Sequence, residues 1–288
     1  MMLLLAIPGL ALVALGLLYH FLALETFNLL VPKDGEARRI ASGIAYGAGP
    51  RQKLDLYAPR APETGPWPVV VFVHGGSWSS GNKNAYAFVG RALAAQGFLA
   101  LVISYRLHPR HPYPAFVEDT AQALAWATRH AAEHGGDTSA LFALGHSAGA
   151  YNVAQAVLDM AHFEKLGIAA PPLRAVATLA GPFDFLPLDS PISTEVFGRV
   201  PNLPATQPIN HAGSHAPEFL ILHGAADTTC LPRNSISLDQ SLREAGAKST
   251  LKIYDGIGHA AIMLAMAKPL RHMAPTLEDV TGFFRSRL

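Results

Sequence analysis

The chain has 288 residues, half of them hydrophobic, with 22 basic and 21 acidic side chains, a net charge of +1 and a single cysteine, Cys230. That length and composition suit one large α/β domain, or at most two small ones, with a sizeable buried core and exclude a globally disordered chain. The near-balanced charge, without blocks of one sign, leaves no footprint for a nucleic-acid partner, and one cysteine excludes an intrachain disulfide framework or a multi-cysteine metal site.

The first element in chain order is apolar on every face. Met2 to Leu24 contains no charged residue; as a helix it would span about 34 Å, against a hydrocarbon core of about 30 Å. A buried core helix would show a stripe, and none is present. A cleaved signal peptide would carry a Lys or Arg before the apolar run and a small-x-small site after it, and neither is found. The pattern favours an N-terminal membrane anchor over residues 1–24, with export after signal cleavage as the alternative. Lys33, Arg38 and Arg39 follow the span, which places the C-terminal domain in the cytoplasm by the positive-inside rule.

Residues 25–50, with Pro32, Gly35, Gly43, Gly47, Gly49 and Pro50, read as a connector to a domain over 51–288. Lys53 to Tyr57 alternates like an edge strand. Val69 to Val73 and Phe98 to Ser104 are apolar runs that read as strands buried on both faces. Helices are expected over Asn84–Gln96, stopped by Gly97, and over Ala115–His134, stopped by Gly135-Gly136. Leu141–Leu144 is the next strand and Ala148–Met160 the next helix. Ala175–Leu179, Phe219–Leu222 and Leu251–Tyr254 are further strands, and a helix closes the chain over Thr276–Ser286. Strands alternating with helices predict a mainly parallel sheet with helices on both faces. Residues 181–217 hold seven prolines and little periodicity, which predicts a lid-like insertion.

Parallel sheets gather ligands at the carboxyl ends of their strands, and three chemically matched residues fall there. Ser147 sits in Gly145-His146-Ser147-Ala148-Gly149, directly after a strand. Asp227 follows the Phe219–Leu222 strand, and His259 follows the Leu251–Tyr254 strand. A serine hydroxyl is a poor nucleophile at neutral pH. A histidine that takes its proton and a carboxylate that fixes the histidine's tautomer supply what it lacks. His74-Gly75-Gly76-Ser77-Trp78, after Val69–Val73, offers backbone N–H groups to an oxyanion. Gly76, Ser77 and Ala148 are the expected donors, with Gly75 as an alternative. Trp78 and Phe183 are candidate substrate-pocket walls, or they only cover the core. Asp184 is a reserve for the acid. His223 reads as a packing residue, Cys230 as a small core residue, and Asp255 as too close to His259 in sequence to orient it easily. His108 and His111 lie in a proline-broken loop with no acidic third ligand, so no metal site is expected.

These motifs resemble the α/β-hydrolase esterases that carry an H-G-G-x-W oxyanion motif. That group includes carboxylesterases similar to hormone-sensitive lipase, feruloyl-esterase-like enzymes, prenylcysteine methylesterases and kynurenine formamidases. Tyr105-Arg106-Leu107-His108-Pro109-Arg110-His111-Pro112-Tyr113-Pro114-Ala115 is similar to the family's Y-R-L-A-P-E-x-P-F-P-A segment. The resemblance runs from about Gln52 to the C-terminus. It implies an α/β-hydrolase fold and cofactor-free hydrolysis of an ester or an amide-like bond in a small molecule. Ser77 and His146 stand where the lipase-like branch has a third glycine and an Asp, which moves the chain toward the formamidase and methylesterase branches. The alternatives are an aryl-formamidase-like amide hydrolase and a non-catalytic membrane-tethered binding protein on a hydrolase scaffold. The oligomeric state has no signature in these patterns.

Overall fold

The protein is described from a computed structural model that covers residues 23–60 and 66–288. The anchor expected over residues 1–24 therefore lies almost wholly outside the described residues. Its last two, Ala23 and Leu24, lie in a helix, α1, described over residues 23–30. Among the described residues no helix is long and apolar enough to cross a membrane.

Among the described residues eight strands form one sheet in the order β1-β2-β4-β3-β5-β6-β7-β8. The strands are β1 (Ala37–Ala45), β2 (Lys53–Pro59), β3 (Trp67–Val73), β4 (Leu99–Ile103), β5 (Gly136–His146), β6 (Leu173–Leu179), β7 (Glu218–Gly224) and β8 (Ser249–Tyr254). From β4 across to β8 all neighbours are parallel; β1 and β2 run antiparallel at one end. The helices after α1 are α2 (Ala87–Ala95), α3 (Ala115–His130), α4 (Ala148–Leu158), α5 (Ala161–Lys165), α6 (Pro191–Phe197), α7 (Arg233–Glu244), α8 (Ala261–Leu264) and α9 (Thr276–Arg285). Alternate residues of β3 feed two cores. Val69, Val71 and Val73 pack with α3, α4 and α7, whereas Val70 and Phe72 pack with α2, α8 and α9. Burial on both faces explains the unbroken β-branched run in this strand.

Three readings change. Residues 37–45, inside the expected connector, form β1, whose residues are mostly exposed or half-buried, so no apolar alternation marks it. β2 is consequently not an edge strand: it pairs with β1 on one side and β4 on the other. Its polar Asp55 is fully buried, paired with Lys83 at 2.7 Å and accepting from the Ser42 hydroxyl and the Gly43 N–H. Residues 181–217 are not structureless. They carry α6 and two short 3₁₀ turns, and they are tied down from several directions. Tyr151 Oη donates to the Thr206 carbonyl at 2.7 Å, Gln155 to that of Ala205, and the Phe185 N–H to Gln207 Oε1. The prolines initiate turns here instead of preventing order.

The topology sets the site. The chain passes from β3 outward to β4, then crosses back to place β5 on the other side of β3. The carboxyl ends of β3 and β5 therefore flank a switch point, where crevices form in such sheets. The register pairs Val73 with Gly145, which brings the turn after β3 beside the turn after β5.

Candidate active site

Ser147 occupies a corner that the sequence around it permits. Its backbone adopts φ 54°, ψ −124° as β5 turns into α4, and its own N–H donates to the Leu179 carbonyl of β6 at 2.8 Å. A left-handed φ at a non-glycine residue stores strain that the surrounding structure must impose. The flanking glycines make this tight turn possible. A Cβ on Gly149 would lie 2.1 Å from the Val73 carbonyl oxygen, and one on Gly145 would lie 2.4 Å from the Gly149 oxygen.

The three strand-end residues meet. His259 Nε2 lies 2.8 Å from Ser147 Oγ, and His259 Nδ1 lies 2.7 Å from Asp227 Oδ2. A proton on Nδ1 donates to the carboxylate, which leaves the Nε2 lone pair facing the serine hydroxyl. Asp227 is buried, and its other oxygen accepts the Thr229 and Cys230 N–H groups at 2.9 Å each. Burial alone would raise its carboxyl pKa. Hydrogen bonds from His223 and His259, the charge attraction of His259 and the Cys230 N–H more than offset that and hold it well below the usual carboxylate range.

Two histidines near these residues have contacts that sequence reasoning did not find. His223 is buried, as expected of a packing residue, and accepts from or donates to Ser235 Oγ at 2.7 Å. Its Nε2 also lies 2.8 Å from the Cys230 carbonyl and 3.2 Å from Asp227 Oδ2. His146, beside the serine, points Nε2 at the His259 carbonyl at 3.1 Å and so holds the backbone of the histidine loop. Position alone, immediately before the serine, was the one signal for the second of these.

The turn after β3 is built as a rigid, non-helical loop. Gly76, Ser77 and Trp78 have φ 124°, 52° and 57°. The Gly76 carbonyl accepts the N–H groups of Ser79 and Ser80, which closes the turn. His74 is buried beneath it, stacked 4.4 Å from the Tyr105 ring and 5.6 Å from Tyr86, with Nδ1 donating to the Gly75 carbonyl. Desolvation lowers the His74 pKa from 6.5 to about 3, so the ring is neutral. Tyr105 Oη donates to the His74 carbonyl, and Arg106 pairs with the buried Asp119 at 2.7 Å. The Tyr105–Ala115 segment thus braces this turn against α3.

Ser147 lies where two recesses join. One, of about 600 Å³, includes Gly75, Gly76, Ser77, Ser147, His146 and His259 in its lining. The other, of about 350 Å³, includes Ser77, Trp78, Ser147, Ala148, Phe185 and His259. Trp78 therefore faces the second recess, but it is mostly core. Its Nε1 donates to Asn152, and its ring packs edge-on against Tyr151 and Phe197. Phe183 lines neither recess; it is fully buried. The His259 Nδ1 meets Asp227 and not the reserve acid Asp184, whose N–H donates to Asn234 Oδ1 at 2.9 Å. His108 faces Glu195 of α6 at 3.4 Å, and among the described residues no cluster of His, Cys, Asp and Glu could hold a metal ion. Cys230 is buried, and burial raises its thiol pKa far above the usual range. The arrangement can deprotonate Ser147 as it attacks an electrophilic carbon and can seat a different group on each side of it.

Residues 54–242 match the BD-FAE family. A probable isoprenylcysteine alpha-carbonyl methylesterase from Oryza sativa subsp. japonica is 30% identical over 275 residues, covering 88% of this chain and 64% of its own length. Esterase LipQ from Mycobacterium tuberculosis is 31% identical over 277 residues, covering 88% of this chain and 65% of its own length. The chain thus spans less than two thirds of the length of these curated relatives. The phosphonate-inhibited crystal structure of esterase B from Lactobacillus rhamnosis superposes with a TM-score of 0.86 at 19% identity, covering 96% of this chain and 94% of that one. At that identity the likeness is one of fold.

Proposed function

Because the chain belongs to the BD-FAE family, an α/β-hydrolase esterase family, we propose that it is a serine hydrolase that cleaves carboxylic esters of small molecules. The observation that carries this reading is the hydrogen-bonded line from Ser147 through His259 to Asp227. Ser147 Oγ attacks the ester carbonyl carbon while His259 Nε2 takes its proton. The carbonyl π electrons move onto oxygen, and the backbone N–H groups of Gly76, Ser77 and Ala148 stabilise that charge. Ala148 opens α4, whose N-terminal dipole adds to the effect. The tetrahedral intermediate collapses, His259 returns the proton to the departing alkoxide, and an acyl-enzyme remains. Water, deprotonated by His259, attacks the acyl carbon; the second tetrahedral intermediate then collapses, His259 returns the proton to the departing Ser147 Oγ, and the acid is released. Asp227 stays ionised and stabilises the imidazolium at each step.

No step calls for a cofactor. Relatives named as a methylesterase and an esterase support an ester over an aryl formamide. A complete triad supports an enzyme over a binding scaffold. The apolar segment Met2–Leu24 is proposed to tether the enzyme to a membrane, with its domain on the cytoplasmic side. Two arms test the reading: hydrolysis of p-nitrophenyl acetate against an aryl formamide, and Ser147→Ala against the unmodified chain. Faster turnover of the formamide would transfer the reading to amide hydrolysis, and ester hydrolysis that survives Ser147→Ala would remove it.

A further inference from the structure

The larger recess has a wall that the triad and the oxyanion turn do not supply. Ala23, Leu24 and Phe27 of α1 line it together with Tyr86 and with Met263 and Leu264 of α8. Positions 23, 24 and 27 fall on one helical face, and none of these six side chains carries a charge. Its volume of about 600 Å³ lies within the range of about 300–1,000 Å³ seen for ligand sites. The wall is fixed in place. Asn28 donates through Nδ2 to the Asn84 carbonyl at 2.8 Å and accepts the Phe88 N–H of α2 on Oδ1 at 3.0 Å. Asn82 donates to Glu25 Oε1 at 3.2 Å, and the Phe27 ring meets Phe88 edge-on at 5.4 Å. The recess on the other side of Ser147 is more polar, with Asp189, Ser190, Ser193, Arg233 and Asn234 among its lining residues.

We propose that α1 is a specificity-determining wall of the active site: Leu24 and Phe27, facing Met263 and Leu264 across the larger recess, bind an extended unbranched apolar chain on one side of the scissile ester. The smaller or more polar half of the ester takes the other recess. This rests on the reading of Ser147 as the nucleophile. Leu24 is also the last residue of the apolar segment proposed above as a membrane tether.

The test uses the full chain and two substrate series, since the apolar chain can belong to the acid or to the alcohol. One series is p-nitrophenyl esters from acetyl to decanoyl; the other is acetate esters from ethyl to decyl alcohol. In the series whose variable chain occupies this recess, kcat/KM rises by about fourfold per buried methylene until the recess is filled. Leu24→Trp, which fills the recess, lowers the longest-to-shortest ratio of kcat/KM at least tenfold, mainly through KM. Phe27→Ala, which enlarges it, moves the preferred chain to greater length and carries the test if the first variant does not fold. If short and long substrates change in parallel in both variants and both series, α1 is only a structural support and the proposal is wrong. If the unmodified protein hydrolyses neither series, the Ser147 reading fails and the proposal falls with it; hydrolysis without length dependence removes the proposal alone.

Discussion

His223 Nε2 lies 3.2 Å from Asp227 Oδ2, the same oxygen that receives the His259 Nδ1–H at 2.7 Å. One carboxylate oxygen thus lies near two imidazoles, one buried and one beside Ser147. A hydrogen bond to a charged group contributes about 1.5–3 kcal/mol. His223, whose Nε2 also meets the Cys230 carbonyl at 2.8 Å, is therefore expected to act as a positioning residue that fixes the acid. His223→Phe is expected to lower kcat about 10- to 100-fold. It also raises the Asp227 pKa, because a donor to the charged form is gone. A depressed carboxyl contributes stability above its unfolded-state pKa and loses it as pH falls through the folded-state value, so the variant begins to unfold at a higher pH on acidification. Carboxyl carbon NMR of Asp227 follows the titration directly. An unmoved Asp227 titration alongside the kcat loss would mean that His223 only packs.

Gly76 combines φ 124° with a site where a Cβ would lie 2.4 Å from the Ser80 carbonyl oxygen. Gly76→Ala is therefore expected to displace the turn proposed to offer N–H groups to the oxyanion. Loss of one such donor costs about 10²–10³ in rate. Steady-state kinetics should show the loss in kcat, with the circular dichroism spectrum and KM little changed. A kcat within threefold of the unmodified chain would remove Gly76 from the oxyanion site.

His74 makes stability depend on pH in a defined window. Its folded-state pKa is lowered to about 3 by burial, whereas the unfolded chain titrates near 6.5. Between these values the unfolded state binds the extra proton. Stability is therefore full above about pH 6.5 and is lost as pH falls toward 3, with a slope of up to about 1.4 kcal/mol per pH unit from this group. Urea unfolding of His74→Asn, which cannot titrate, should show a slope lower by about one proton between pH 6 and 4.

Lys83 and Asp55 form the buried pair that holds β2 in place, at 2.7 Å with the Asp55 side chain fully buried. Removing one partner of such a pair costs up to about 3–5 kcal/mol, whereas replacing both with apolar groups is often near neutral. Lys83→Met should lower the urea midpoint, and adding Asp55→Leu should recover part of the loss. A double variant that loses the sum of what Lys83→Met and Asp55→Leu each lose alone would show that the pair is not coupled.

The site was legible in the sequence where strand ends carry chemistry. Ser147, Asp227 and His259 each follow an apolar run, and that pattern is enough to place them at one edge of a parallel sheet. Elements with little apolar signal were missed. β1 has few buried residues, and α7 buries only Leu238 and Leu242 among its apolar residues, alongside Asn234 and Ser235. Lys53–Tyr57 looked like an edge because Asp55 breaks the apolar run, yet Lys83 neutralises that charge inside the core. The second role of His223 was hidden because periodicity registers burial and not which oxygen a ring nitrogen meets. Phe183 shows the converse: an aromatic after a strand end fits a pocket wall or a core cover equally well in sequence, and it is buried and lines neither recess.

The central claim is that Ser147 is the nucleophile. Treatment of the folded, ester-hydrolysing chain with a fluorophosphonate, followed by peptide mapping, tests it most directly. The expected result is one adduct, on the peptide containing Gly145-His146-Ser147-Ala148-Gly149, absent in Ser147→Ala and formed as activity is lost. An adduct on another serine, or inactivation without any adduct at Ser147, would contradict it.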